Sequence, residues 1–250
     1  MSDELRRAFD FLARADMAGE RAEPCRFGVA VYDDRVPTRY DSNHLLADAV
    51  PEDAEAQDLV AEADRLRRPM IFFRDEAPGE RLASGFAALG WRVDRHLVMV
   101  QRRPPERTPL PGLVRELDAD ALHTARRRLI EHYPWATPKV IESLYRAKGL
   151  IAERVDTRFL GIVVGGEVVA YADLYLEPPA AQIEDVGTLE DHRGRGYAST
   201  LVLHAAETAR RAGADLVFLV ADAEDWPQHL YRQLGFDAVG RYVKFIRPGI

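Results

Sequence analysis

The stretch EDHRGRGYAST, residues 190–200, places three basic side chains and two glycines in six positions, His192 to Tyr197. The apolar run IEDVGTL (183–189) precedes it and the helical pattern LVLHAAETARRAGA (201–214) comes after it. A chain that passes from strand to helix this way leaves the first helical N–H groups without intrahelical partners. Gly194 and Gly196 permit positive φ and close approach of a ligand. Successive N–H groups in such a turn, with the helix dipole behind them, favour an anion. Arg193 and Arg195 add charge that phosphate can use. The stretch therefore reads as a diphosphate cradle. The competing reading is a basic surface loop with glycines for flexibility. It is not a Walker loop, and Ser199 stands where a full GxGxxG would carry its third glycine.

Outward from this loop, the order of elements is mixed. A helix is expected over 121–133 and a second, short one in 134–149. Strands come next within 158–177, where Gly165-Gly166 marks a hairpin, and over 181–189. After the loop come a helix at 197–212, a strand at 216–221, a short helix at 227–235 and a last strand at 242–247. In the first part, 27–32, 70–73 and 91–101 read as strands, and 51–68 and 80–90 as helices. The run QRRPPERTPLPG (101–112) carries four prolines and a glycine, so neither a helix nor a central strand continues through it. It divides the chain into 1–104 and 113–250. The segments FAALGWRVDRHLVMVQR (86–102) and YRQLGFDAVGRYVKFIR (231–247) align without a gap. Leu, Gly, Val and Arg recur at Leu89/Leu234, Gly90/Gly235, Val98/Val243 and Arg102/Arg247, which suggests two related domains in tandem.

Composition narrows the function. With 47% hydrophobic and 30% charged residues, the 250-residue chain is that of a soluble globular protein. A net charge of −7 argues against non-specific nucleic-acid binding. Cys25 is the single cysteine, so no internal disulfide forms. No run of about 18 apolar residues offers a membrane span. The charged, amphipathic N-terminus has no signal-peptide core, and a cytoplasmic location is expected. Neither His123/His132 nor His204/His229 has metal-ligand spacing, so no metal is expected.

The motif Arg193-Gly194-Arg195-Gly196-Tyr197-Ala198 resembles the R/Q-x-x-G-x-G/A signature of the GNAT superfamily, the GCN5-related N-acetyltransferases. LYRQLGF (230–236) resembles that family's C-terminal Tyr-x-x-x-Gly-Phe element, about 35 residues on and in the expected order. The resemblance covers about 113–250. It implies a mixed α/β (α+β) fold, a mostly antiparallel twisted sheet flanked by helices, with 1–104 a degenerate copy.

The resemblance also implies a cofactor and a site. Acetyl-CoA would lie in the opening between the family's fourth and fifth strands. Main-chain groups of Val186, Gly187 and Thr188 would pair with the pantetheine arm, and N–H groups across Gly194–Ser199 would hold the pyrophosphate. Asp222 and Asp225 stand where many relatives place an asparagine against pantetheine, a departure that leaves a side-chain contact there open. Tyr231 matches the family's general acid. Period-2 alternation puts Gln182, Glu184, Val186 and Thr188 on one strand face and Ile183 and Asp185 on the other. Glu184 is therefore the first candidate base and Asp185 the second. His132, Tyr133 and Trp135 are candidates for lining the acceptor pocket, and packing of the loop onto the core is as good an account of them. The expected activity is transfer of an acetyl group to a primary amine on a small molecule or peptide. A non-catalytic CoA-binding module remains open, as does an acyltransferase for a longer acyl-CoA or a hydroxyl acceptor.

Overall fold

The computed structural model describes residues 1–247, so the last three residues of the segment 113–250 lie outside the described residues. The described chain builds one sheet of eleven strands. From one edge run β1 (Arg21–Cys25), β2 (Gly28–Tyr32), β3 (His44–Ala47) and β4 (Met70–Phe73). From the other edge run β6 (Val114–Leu117), β7 (Asp156–Val164), β8 (Glu167–Glu177), β9 (Ala180–Thr188) and β10 (Leu216–Asp222). Between β4 and β10 lie β11 (Phe236–Ile246) and β5 (Arg92–Gln101), in that order from β4. Neighbours are antiparallel except the pairs β3–β4 and β9–β10.

The order means that the halves exchange strands. β5, from the first half, lies between β10 and β11 of the second. β11, from the second half, lies between β4 and β5 of the first. The cores are shared accordingly. Phe245 of β11 stacks on Phe86 at 3.9 Å between ring centroids and meets Phe73 edge-on, all within the first half's core. Leu97 and Met99 of β5 are buried with the second half's core. Burying each such side chain contributes about 1.5–3 kcal/mol, so each half draws stability from the other's strand.

Among the described residues seven α-helices cover the two faces. On one lie α2 (Ala56–Leu66), α3 (Glu76–Ala88), α6 (Tyr197–Arg211) and α7 (Pro227–Gln233). On the other lie α1 (Asp3–Arg14), α4 (Ala119–Ile130) and α5 (Pro138–Ala152). α1 begins where Ser2 accepts the Leu5 N–H, carries Asp3 and Glu4 in its first turn, and buries Leu5, Phe9, Phe11 and Leu12. The sequence reading did not contain α1, β1, β3 or β6, and it began β11 six residues late. The connection 102–113 is irregular, as its prolines require, and is fastened to the second half. The Arg102 and Arg103 N–H groups donate to the Gly235 carbonyl, the Glu106 N–H donates to that of Gln233, and the Leu110 N–H donates to Thr200 Oγ1. Among the described residues no helix is long and apolar enough to cross a membrane.

Candidate active site

β9 and β10 pair in parallel only from Ala180↔Leu216 to Ile183↔Leu219. Beyond Ile183, β9 continues to Thr188 paired with β8 alone. The sheet opens there, and the loop from β9 to α6 closes one side of the opening. A single turn, Glu190–His192, leads through Gly194 (φ +74°) to Gly196 (φ +79°), which caps the 15-residue α6 with no side chain on the helix's first N–H groups. Both glycines occupy the left-handed region, where a Cβ costs roughly 1–2 kcal/mol. A Cβ at Gly194 would meet nothing within 4 Å, and one at Gly196 only Leu110 at 3.8 Å. The glycines therefore serve backbone shape, and the space before them is open. Arg193 donates to the Thr188 carbonyl and Arg195 to that of Asp191, so both side chains brace the loop. Tyr197 and Ala198 pack against the α6 core, and Ser199 is buried. A bare helix N-terminus beside an opened sheet fits a diphosphate joined to an extended arm.

The first half has the same local order without the cradle. α2 comes after β3, which is parallel to β4, as α6 comes after β9. The connection holds Asp48, Glu52, Asp53 and Glu55, and the Asp58 carboxylate accepts the Glu55 N–H at 3.0 Å. The Glu55 and Asp58 carboxylates cap α2, whereas the first N–H groups of α6 carry no side-chain cap.

Strand β9 carries a bulge that overturns the expected alternation. Tyr171↔Gly187 and Asp173↔Glu184 are partners, so Asp185 and Val186 together oppose Ala172. Asp185 has φ +53°. The extra residue reverses the facing beyond it. Val186, expected beside Glu184, packs into the α6 core with Ile183. Asp185, expected on the Ile183 face, lines the same cavity as Glu184. Two cations hold the bulge. Arg126 Nε lies 2.9 Å and Lys148 Nζ 3.0 Å from Asp185, and both side chains also contact the wholly buried Asp173. Burial disfavours the Lys148 ammonium, but the charges of Asp173 and Asp185 outweigh it and hold the group well above the ordinary lysine range.

The cavity, of about 200 Å³, lies under α4 and α5. A second one adjoins it at Asp16, Asp41 and Glu184 and reaches Gln182, Val220 and Asp222 at the end of β10. Glu184 is thus at the neck, beside the opening between β9 and β10. Gln182 Nε2 donates to its carboxylate at 2.8 Å. Burial, then the nearby charge of Asp16, push the Glu184 carboxyl up to about 8. Tyr231, on α7, lies in the core on the α6 side of the sheet and is not among the residues that line either cavity. It is buried and edge-on to Phe236 at 6.4 Å. Burial first, then Glu184 and Asp225, raise its phenol, which keeps it protonated.

The remaining expected site residues are scattered. Asp222 lines the adjoining cavity and accepts the Glu224 N–H, and Asp225 accepts the Trp226 N–H. His132, Tyr133 and Trp135 do not line the cavity. They stack on one another on the α4–α5 loop, with Tyr133 47% and Trp135 40% exposed. Thr188 Oγ1 is buried without a partner. The sequence reading missed Asp16, Arg39, Asp41, Arg126 and Lys148. Lysine occurs only at Lys139, Lys148 and Lys244 in this arginine-rich chain, and that rarity was the one available signal for Lys148.

The sequence profile of the acetyltransferase (GNAT) family matches residues 119–236, which span α4 to the start of β11. Residues 119–236 are a GNAT domain. The profile takes in the bulged strand, the glycine cradle and Tyr231. A curated relative of this GNAT domain, a streptothricin acetyltransferase from Streptomyces lavendulae, is 31% identical over 96 residues, 37% of this chain and 51% of that protein. The chain thus spans about half the length of the curated relative it matches. Two solved structures share the fold of the whole chain. A functionally unknown conserved protein from Staphylococcus epidermidis superposes with TM-score 0.68 at 16% identity, over 94% of this chain and 97% of that one. A GCN5-related N-acetyltransferase from Kribbella flavida does so with TM-score 0.63 at 18% identity, over 100% and 97%. The shared fold therefore extends over both halves of the chain. Among the described residues no group of three or more His, Cys, Asp or Glu side chains is placed to hold a metal ion.

Proposed function

We propose that the protein is an N-acetyltransferase that moves an acetyl group from acetyl-CoA to a primary amine, with Glu184 as general base and Tyr231 as general acid. The observation that carries this reading is the placement of Glu184. It is a carboxylate raised to about 8, at the neck between the acceptor-sized cavity and the opening of the sheet. A base tuned near working pH takes a proton most effectively. The bound cofactor supplies a thioester whose carbonyl carbon the amine attacks, forming a C–N bond as the C–S bond breaks. Glu184 takes the proton the amine gives up, directly or through water. Tyr231, protonated, donates to the departing thiolate. The N–H groups of Gly194–Ser199 hold the pyrophosphate, the free edge of β9 at Val186–Thr188 pairs with the pantetheine arm, and Arg193 and Arg195 keep the loop in shape. The setting is the cytoplasm. The name of the curated relative makes streptothricin one acceptor to try.

The test is acetyl-CoA-dependent thiol release across an amine library that includes streptothricin, with acetyl-CoA affinity measured in parallel. Release with at least one primary amine and formation of its amide are the expected result. Tight acetyl-CoA binding with no release from any amine would convert the reading to a CoA-binding module.

A further inference from the structure

The cavity under α4 and α5 has a wall made by the other half of the chain. Asp16, in the turn after α1, lies there with Arg39 and Asp41, from the segment between β2 and β3. The carboxylates around the neck are not equivalent. Asp41 is held by Lys244 Nζ at 2.6 Å, and Asp185 by Arg126 and Lys148. Asp16 gives one oxygen to Arg39 at 2.6 Å, while Arg39 is fixed in turn by the Asp16 carbonyl and Ser42 Oγ, each at 2.6 Å. Glu184 has no basic partner among the described residues; its carboxylate accepts from Gln182. Gln182 is wholly buried, lines the adjoining cavity and has a carbonyl oxygen with no partner. A carboxylate without a cation and a buried amide oxygen without a donor, in one recess, call for an N–H-rich group. The rest of the cavity lining differs. Ile130, Ile141 and Leu144, half-buried on α4 and α5, face it together with Tyr171. Arg126 and Arg127 also border it.

We propose that the acceptor is a compact monoamine on an apolar body, bound between the two halves, with Asp16 of the first half as a specificity-determining residue. The amine nitrogen sits between Glu184 and Asp16, and the body lies on Ile130, Ile141 and Leu144. A second cation on the acceptor would have to be buried against Ile130, Ile141 and Leu144, so polyamines are disfavoured by the cost of desolvating it. The first half, which lacks a cradle of its own, thereby supplies acceptor recognition. This rests on the acetyl-transfer reading above, and the experiment separates the two.

The probes are phenethylamine and spermidine. Each is titrated calorimetrically into the full chain saturated with CoA, and each is assayed for thiol release from acetyl-CoA. Binding of phenethylamine, with kcat/KM at least about tenfold above that for spermidine, is expected. Asp16→Asn weakens phenethylamine binding about tenfold, in both Kd and KM, more than it lowers kcat, and moves the pH profile to lower pH. Ile141→Asp, on the opposite wall, raises the same constants without touching the Asp16–Arg39 pair, so the test survives a local disturbance in Asp16→Asn. Preference for spermidine, or an unchanged Kd in both variants, overturns the proposal. Binding weakened by both variants but no thiol release from any amine removes the transfer reading and leaves the ligand class of the pocket standing.

Discussion

Val98 of β5 lies opposite Val220 of β10 in antiparallel register, so a strand from the first hundred residues is interior to the sheet of the second half. On its other side Val98 meets Gly240 of β11. Removing 1–104 opens a gap between β10 and β11, exposes both strand edges and takes Leu97 and Met99 out of the second half's core. The fragment 113–250 is expected to be insoluble or to lack a cooperative thermal transition. A monomeric fragment that melts cooperatively and binds acetyl-CoA would show that β5 is dispensable.

Gly196→Asp puts a carboxylate at the cap of α6, in the space expected to receive a pyrophosphate, and in a conformation (φ +79°) that disfavours a Cβ. Acetyl-CoA affinity should fall by roughly 100-fold or more through like-charge repulsion and loss of N–H access. The strain should cost about 1–2 kcal/mol of stability. Calorimetric titration with acetyl-CoA checks the first effect and denaturant unfolding the second.

Tyr231→Phe removes one hydroxyl and keeps a ring in the same packed position against Phe236. The melting temperature and the KM for acetyl-CoA should change little, while kcat drops by about 10²-fold or more if the phenol protonates the thiolate. A kcat within twofold of the parent would remove it as the acid.

Glu184 gives a pH dependence with a definite sign. Its carboxyl is raised from the ordinary 4.5 to about 8, so the folded state holds a proton that the unfolded state has lost across that interval. Its contribution is fully present below about 4.5 and is lost as pH rises through about 8. Glu184→Gln, which imitates the protonated acid, should match the parent in stability near pH 4.5. It should exceed the parent in stability at pH 9. Activity runs the other way: kcat/KM of the parent should climb with pH through about 8, and the variant should lose that rise with most of its rate. Parallel unfolding curves and pH–rate profiles decide both.

Much of the second half was legible because local rules suffice there. Gly165-Gly166 makes the β7–β8 hairpin, and the glycines at 194 and 196 take the positive φ that the loop reading required. The bulge at Asp185 was not legible, since strand alternation assumes an even ladder and a left-handed aspartate is stabilised by Arg126 and Lys148 from two distant helices. The strand exchange was hidden for the same reason. The resemblance of 86–102 to 231–247 marked β5 and β11 as counterparts, but nothing in either run says which neighbour each will pair with. The first-half wall of the cavity depends on that exchange, so Asp16, Arg39 and Asp41 carried no motif. His132, Tyr133 and Trp135 drew notice as aromatics beside prolines, yet the loop turns them outward.

The crossing of β5 and β11 also bears on how such a chain can change over generations. Each half completes the other's sheet, so a change that loses either half also takes a strand from its neighbour. The demand to keep its shape therefore falls on the first half as much as on the second, including the strands behind the turns that face the cavity.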